Sequence, residues 1–313
     1  MGTVLSAADF GAFFAPALGG LLYQRFGISA VLAATCIVAI IALLFGGVVP
    51  GTADTKQSEG EGVESGNPEI TEYTSLLPAD NSAFVLPPSD SKLYQAFPII
   101  RCFREPSLVV SIFLVLVSAI FVSVFDATIP LHARHTFGFD SMDIGLLFIP
   151  MAVARVVTGP IGGWMVDKTS PRTVALTGYA LLTPVFISLR WVKSEPREVA
   201  IGLYFALLAL AGIGSAIVSV PSLVESSSVL DRYYQANPGL FGDRPPAGAL
   251  FGIFLAAFGA GSAVGPVIAG ALRNSIGYGN MNAVMAGISA AAAVAAFIWL
   301  ERVPAKQSPI DEA

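Results

Sequence analysis

Eight long stretches of apolar residues dominate the chain, and each is long enough to cross a lipid bilayer as a helix. A membrane-spanning helix needs about 20 mainly apolar residues. Glycine and proline interrupt several stretches, which membrane helices tolerate because neighbouring helices satisfy the freed backbone groups. The predicted spans are residues 4–24, 28–49, 107–130, 143–166, 173–192, 199–221, 248–272 and 279–300. The pattern therefore predicts an all-α, polytopic membrane protein.

A polar, acidic segment separates the second span from the third. Residues 51–90 hold eight acids and one base, with many Gly, Ser and Pro residues. Such a composition cannot bury a core, so we expect a disordered linker. The following residues, 92–105, mix apolar and basic side chains and are expected to lie along the membrane surface. A weak excess of Lys and Arg places the linker and residues 301–313 in the cytosol.

Composition agrees with a bilayer environment and excludes several classes of function. Charged residues make up 12% of the chain, against about 25% in soluble domains, and mean hydropathy is +0.71. A net charge of −5 argues against a nucleic-acid partner. The two cysteines indicate neither a disulfide framework nor a metal site. No nucleophile–base set or phosphate-binding loop is present, so we expect neither enzymatic activity nor a cofactor.

An internal repeat relates the first span to the seventh. Residues 11–27 read GAFFAPALGGLLYQRFG and residues 261–277 read GSAVGPVIAGALRNSIG. Aligned without a gap, the two segments share glycine or proline at the pairs Gly11/Gly261, Pro16/Pro266, Gly20/Gly270 and Gly27/Gly277. Small residues let helices approach closely in lipid, and related halves are typical of transporters. Glycine-rich packing without a transport role is the alternative.

These segments resemble the antiporter motif of the major facilitator superfamily, in its drug:proton antiporter and vesicular amine transporter-like branch. The family motif is similar to Gly-x-x-x-x-Pro-x-x-Gly-Gly. Its first copy here consists of Gly11, Pro16, Gly19 and Gly20, and its second of Gly261, Gly265, Pro266 and Gly270. A second family motif, a short gating loop, resembles Gly163, Asp167, Lys168 and Arg172, with Ser170 and Pro171 departing from it.

The resemblance implies a major facilitator fold of twelve helices, of which helices five to twelve are present. Because the first span begins almost at Met1, we expect an N-terminally truncated chain. The implied divisions are the last two helices of the N-terminal bundle (1–49), the cytosolic linker with its interfacial segment (50–106), the complete C-terminal six-helix bundle (107–300) and a tail (301–313).

The function implied by the resemblance is proton-coupled antiport of drugs or other small organic molecules by alternating access. A transport-incompetent fragment that binds or regulates other membrane proteins is one alternative, and a uniporter of neutral solutes is another. The expected partners are a small organic substrate, protons and the bilayer. In the linker, Glu72, Leu76 and Leu77 fit an acidic dileucine sorting signal, which would route the protein to a vacuolar or endosomal membrane; the plasma membrane is the alternative.

Ionisable residues inside spans cost about 2.5–3.5 kcal/mol each to insert, so they are candidates for function. Asp126, in the third span, matches a carboxylate of the vesicular amine transporters and suits alternate binding of a proton and a cation; a hydrated acid at the mouth is the alternative. Arg155, in the fourth span, needs a partner or a polar cavity. It could form a switchable pair with Asp126 or a static structural pair.

Three further residues are weaker candidates for this site. Asp9 lies in the first span, where it faces either a cavity or a frayed end. Glu225 follows Pro221 and is either a coupling residue or a solvated interfacial acid. Phe125 could line an apolar site or pack against other helices. His132 is expected in an external loop. A histidine there could sense pH, but most surface histidines have no such role.

Overall fold

The computed structural model describes residues 2–48, 84, 86, 98–192, 197–237, 240–241 and 246–300. Within these ranges the regular structure is entirely helical. The elements are α1 (Gly2–Val48), a short 3-10 helix (Pro98–Arg104), α2 (Pro106–Phe137), α3 (Ser141–Lys168), α4 (Pro171–Leu189), α5 (Arg197–Ala236) and α6 (Ala247–Trp299). In the described part, six helices are long and apolar enough to cross a membrane. The prediction of an all-α, polytopic membrane protein is confirmed.

Two glycines divide the longest helices. At about 1.5 Å per residue, helices of 47 and 53 residues would extend about 70 and 80 Å, more than twice the hydrocarbon thickness of about 30 Å. Gly27 has φ 76° and ψ −173°, and Gly277 has φ 82° and ψ 163°. Only glycine adopts such angles without strain. Each helix therefore consists of two segments, α1a (2–26) and α1b (28–48), and α6a (247–276) and α6b (278–299).

The internal repeat extends to these two breaks. Gly27 and Gly277 are the last aligned glycines of the two repeated segments. They have nearly the same backbone angles and both end a helix that carries the motif. The repeat therefore specifies a helix, a break and a second helix, as well as small residues for packing.

Local sequence signals set the ends of the shorter helices. Gly138 ends α2 with φ 68°, and its N–H donates to the carbonyl of Arg134. Asp140 then caps α3, because its carboxylate accepts hydrogen bonds of 3.0 Å from the backbone N–H groups of Met142 and Asp143. Ser170 caps α4 by accepting from Thr173 N. These caps produce the tight connections from α2 to α3 and from α3 to α4.

The helices from α2 to α6 pack into one bundle. α2 packs against α6 and α5, α3 against α5, and α4 against α5 and α6, whereas α1 packs against α3. Aromatic rings fill the centre: Phe125 stacks on Phe186 at 5.2 Å between centroids, and Phe121 lies 5.0 Å from the same ring. Large apolar side chains point outward on every long helix, as a surface solvated by lipid requires. We call the end of the bundle near the 3-10 helix its linker end.

The predicted interfacial segment is only partly described. Its last residues form the 3-10 helix Pro98–Arg104, in which Ile99 and Cys102 are buried while Ile100 and Phe103 are exposed. Ile99 and Cys102 pack among Leu108, Val229 and other apolar residues of α2, α5 and α6. This segment is therefore attached to the bundle through one face.

Candidate functional site

Arg155 is held inside the bundle between α3 and α5. Its side chain is 5% exposed, and its Nη1 donates a hydrogen bond of 2.9 Å to Oγ of Ser215. Ser215 in turn donates to the carbonyl of Gly212 at 3.0 Å. A Cβ on Gly212 would lie 2.6 Å from the carbonyl oxygen of Met151, so this glycine allows the close approach of the two helices. The permanently charged guanidinium is thus fixed away from lipid.

Asp126 lies on α2 at an exposed position, next to a fully packed neighbour. The charge of Arg155 acts on its carboxylate, and a pairing of the two side chains stays a prediction. The adjacent Phe125 is 1% exposed and stacked on Phe186. Phe125 therefore belongs to the packed core and does not line an open site, whereas Asp126 lies on the surface of the described bundle.

An apolar groove runs beside Arg155. It has a volume of about 690 Å³ and lies between α3 and α5, within the size range of small-molecule pockets. Val153 and Val157 form its α3 wall, Phe205 and Ile213 form its α5 wall, and Thr158 is a polar residue at its edge. Its chemistry suits an organic molecule with a large apolar surface.

Two other ionisable candidates lie elsewhere. Glu225, on α5 near the linker end, is 1% exposed, so the expectation of a solvated interfacial acid is wrong. The sequence around Pro221 did not reveal this burial. Asp9 lies in α1, and its side chain is outside the described part of the structure, as is that of Pro16.

The motif glycines divide into two groups. A Cβ on Gly261 would press on the carbonyl oxygen of Leu116, and one on Gly265 on Oγ of Ser123, so both glycines allow α6a to approach α2. Gly20 makes a similar approach to α3 at Ser141. Around Gly11, Gly19 and Gly270 a Cβ would meet nothing within 4 Å. These three do not make the close helix contact that we expected, while Pro266 lies within α6a.

The predicted gating loop connects α3 to α4 at the linker end. Lys168 lies over the ring of Trp164 at 4.9 Å, and Arg172 lies over the ring of Phe297 at 4.0 Å. Asp167 is exposed, and a Cβ on Gly163 would meet nothing within 4 Å. In this conformation the two bases therefore contact aromatic rings of their own bundle. The sorting signal at Glu72, Leu76 and Leu77 lies outside the described residues.

One cluster was missed by the sequence reasoning. His132 is in α2 and buried, because the helix continues through Pro130 to Phe137; the expectation of an external loop is wrong. Its ring stacks on Tyr278 at 3.8 Å, and the hydroxyl of Tyr278 lies 3.2 Å from that of Tyr204. The aromatic cluster joins α2, α5 and α6b at the end opposite the linker. These three residues come together only through the packing of remote helices, and no local sequence pattern indicates it.

Within the described residues, no group of three or more His, Cys, Asp or Glu side chains is arranged to hold a metal ion. The candidate site consists of Arg155 with its partner Ser215, the apolar groove between the same helices and the exposed Asp126 of α2.

Comparisons with known proteins place this geometry in context. The sequence model of the Major Facilitator Superfamily matches residues 1–238. The chain is 35% identical to the MFS-type transporter ppzB of Metarhizium majus over 96% of its own length and 71% of that protein. It is 33% identical to the ppzB transporter of Metarhizium rileyi, over 96% and 67%. An uncharacterized MFS-type transporter of Schizosaccharomyces pombe, C18.02, is 28% identical over 89% of the chain and 61% of its own length.

Proposed function

This chain belongs to the Major Facilitator Superfamily, and we propose that it moves small organic molecules by proton-coupled antiport with alternating access. Its relatives are named as membrane transporters, and transport of small molecules across a membrane is the activity that it shares with them. Proton coupling and the organic, largely apolar character of the substrate are the specific parts of the proposal.

The observation that carries the proposal is the buried guanidinium of Arg155 on α3, whose charge acts on the carboxylate of Asp126 on α2. Arginine keeps its charge, so only the carboxylate can change its charge state within this pair. When Asp126 binds a proton, its attraction for Arg155 is lost and the relative free energies of two bundle conformations change. Substrate and proton then compete for one conformational equilibrium, as antiport requires.

The apolar groove supplies the organic part of the proposal. Its walls on α3 and α5 are formed by aliphatic and aromatic side chains, and Arg155 is held between the same two helices by Ser215. A ligand in the groove would therefore contact the helices whose packing the Asp126–Arg155 interaction influences. This arrangement links occupancy of the groove to the charge state of Asp126.

The division of the chain is also part of the proposal. We assign residues 1–49 to the last two helices of one six-helix bundle and residues 107–300 to the second bundle, joined by a cytosolic linker (50–106) and followed by a tail (301–313). The six helical segments from α2 to α6b support this assignment. The vacuolar or endosomal location rests on the linker sequence alone.

Reconstituted vesicles test the mechanism. The purified chain is placed in proteoliposomes loaded with a pH-sensitive dye, and apolar organic compounds are screened for substrate-dependent proton movement. For a compound that gives a signal, Asp126→Asn should abolish uptake driven by the pH gradient but retain exchange of labelled for unlabelled compound. Asp143→Asn, at the first turn of α3, is the control and should leave both intact.

The alternatives give different results in the same assay. In a uniporter of neutral solutes, Asp126→Asn would leave the transport rate unchanged at every pH tested. A transport-incompetent fragment would give no flux until it is extended by four preceding helices. Retention of gradient-driven uptake in Asp126→Asn would refute the proposed coupling.

A further inference from the structure

The end of α5 binds a remote part of the chain through a single side chain. Asn237, immediately after α5, accepts a hydrogen bond of 2.8 Å from the N–H of Leu86 through Oδ1. Its Nδ2 donates to the carbonyl of Phe84 at 2.9 Å. One amide thus binds the C=O of one residue and the N–H of the second residue after it. Both bonds are to backbone groups, so this part of the recognition does not depend on the side chains of the bound segment.

The side chain of Phe84 is recognised as well. Its ring lies edge-on to Tyr233, with centroids 5.2 Å apart and an interplanar angle of 88°. The guanidinium of Arg232 lies 5.7 Å from the centre of the same ring. Edge-to-face pairs and cations near ring faces both favour an aromatic residue over an aliphatic one. The last turns of α5 therefore select a phenylalanine-like side chain at this position.

Apolar packing completes the contact and spans three helices. Phe84 and Leu86 pack against a buried cluster. That cluster includes Leu108 of α2, Val229 and Leu230 of α5, and Leu250 and Phe254 of α6a. The contact therefore depends on the present positions of three helix ends relative to one another.

The contact is specific enough to be a binding site. Asn237 makes both backbone hydrogen bonds with a segment outside its own helix, and the same segment places one aromatic side chain against Tyr233. The interactions combine backbone capture with a side-chain pocket, which is the usual pattern of peptide recognition.

We propose that the linker end of α5 is a docking site for a peptide segment with a phenylalanine two residues before an aliphatic residue, and that this chain's own Phe84 and Leu86 are its resident ligand. Docking requires the ends of α2, α5 and α6a to be at their present spacing. Movement of these helices during a transport cycle would therefore release or capture the linker. The proposal concerns binding and does not depend on proton coupling.

The docking is tested by the accessibility of residue 86. Leu86→Cys is introduced with Cys36→Ser, and its reaction with a large polar maleimide is followed as a mass shift in detergent. We expect labelling about tenfold faster when Asn237→Ala removes both backbone hydrogen bonds, and an intermediate rate for Asn237→Asp, which keeps the acceptor. Cysteine at the exposed position Ile100 is the control, and its rate should be the same in all backgrounds.

Two further variants separate docking from local damage. Asn237 also donates to the carbonyl of Tyr233 in its own helix, so Asn237→Ala could loosen the end of α5. Phe84→Ala leaves Asn237 in place and must also speed labelling of residue 86; if only Asn237→Ala does so, fraying explains the result and the proposal fails. Leu86→Cys itself weakens an apolar contact of the docked segment. The unsubstituted chain must therefore also show docking, as protection of the Leu86 amide from hydrogen exchange.

A competing peptide tests recognition directly. A synthetic peptide of residues 80–90, added in excess, should increase labelling of residue 86, and the same peptide with Phe84→Ala should not. An increase with both peptides, or with neither, would overturn the proposed site, because the phenylalanine would then play no part in recognition.

Discussion

Substitution of Gly261 by alanine isolates the cost of separating α6a from α2. A Cβ at this position would press on the carbonyl oxygen of Leu116 and lie 2.8 Å from Cβ of Ala119. Non-bonded carbons normally lie about 3.5–4.0 Å apart, so the shortfall is about 1 Å. The carbonyl belongs to the backbone and cannot rotate away. The helices must therefore move apart.

Another glycine of the same motif copy provides a matched control. A Cβ on Gly270, in the same helix, would meet nothing within 4 Å. Alanine in place of a helical glycine reduces backbone freedom in the unfolded chain and favours the helix by about 0.5–1 kcal/mol at either position. That gain cancels between Gly261→Ala and Gly270→Ala. The difference between them is the cost of overpacking alone, about 1–3 kcal/mol.

Thermal unfolding in detergent measures this difference. The loss of monomeric protein is followed by size-exclusion chromatography after heating. A difference of about 2 kcal/mol corresponds to about 4–8 °C in a domain of this size, with Gly261→Ala the less stable variant. Equal midpoints for the two variants, or a lower midpoint for Gly270→Ala, would show that α2 and α6a are not packed as described.

Three other predictions concern single positions. Ser215→Ala removes the hydroxyl that accepts from the buried guanidinium and should lower the free energy of unfolding by about 1.5–3 kcal/mol; an unchanged melting point would show that the pair is not formed. Burial raises the pKa of Cys102 from 9.0 to about 11, so its thiolate fraction at pH 8 is about a hundredfold below normal and maleimide should react far more slowly with it than with a cysteine placed at the exposed position Ile100. Faster reaction at Cys102 would contradict its burial. Gly277→Ala should destabilise by about 1–2 kcal/mol because φ is positive, whereas Gly287→Ala, where a Cβ meets nothing within 4 Å, should not; equal melting points would refute the break.

The ends of the helices were predicted least accurately from the local sequence. Pro130 and Pro221 were both read as the ends of apolar spans, but α2 continues to Phe137 and α5 to Ala236. Proline removes one hydrogen bond, and in a packed membrane bundle neighbouring groups replace it. The extra turns carry His132 into an aromatic cluster and Asn237 to the docking site for the linker. The pattern of apolar residues along the chain predicted neither contact.

The sequence by itself determined which segments are helical and that they cross a bilayer. Insertion into lipid depends on the summed hydropathy of about 20 consecutive residues, a local property. It also supplied the glycines at which the helices break, Gly27 and Gly277, because glycine adopts positive φ without strain, although other glycines of the same helices keep helical angles. The presence of Asp126 and Arg155 within spans follows from the same local pattern.

Tertiary structure alone decided what each of these residues contacts. Every helix is apolar around most of its circumference, so the sequence does not indicate which face meets lipid and which meets another helix. That choice depends on small residues of remote helices fitting together, as Gly212 does against Met151. The partner of Arg155, the burial of Glu225 and the packing of Phe125 are therefore consequences of the assembled bundle.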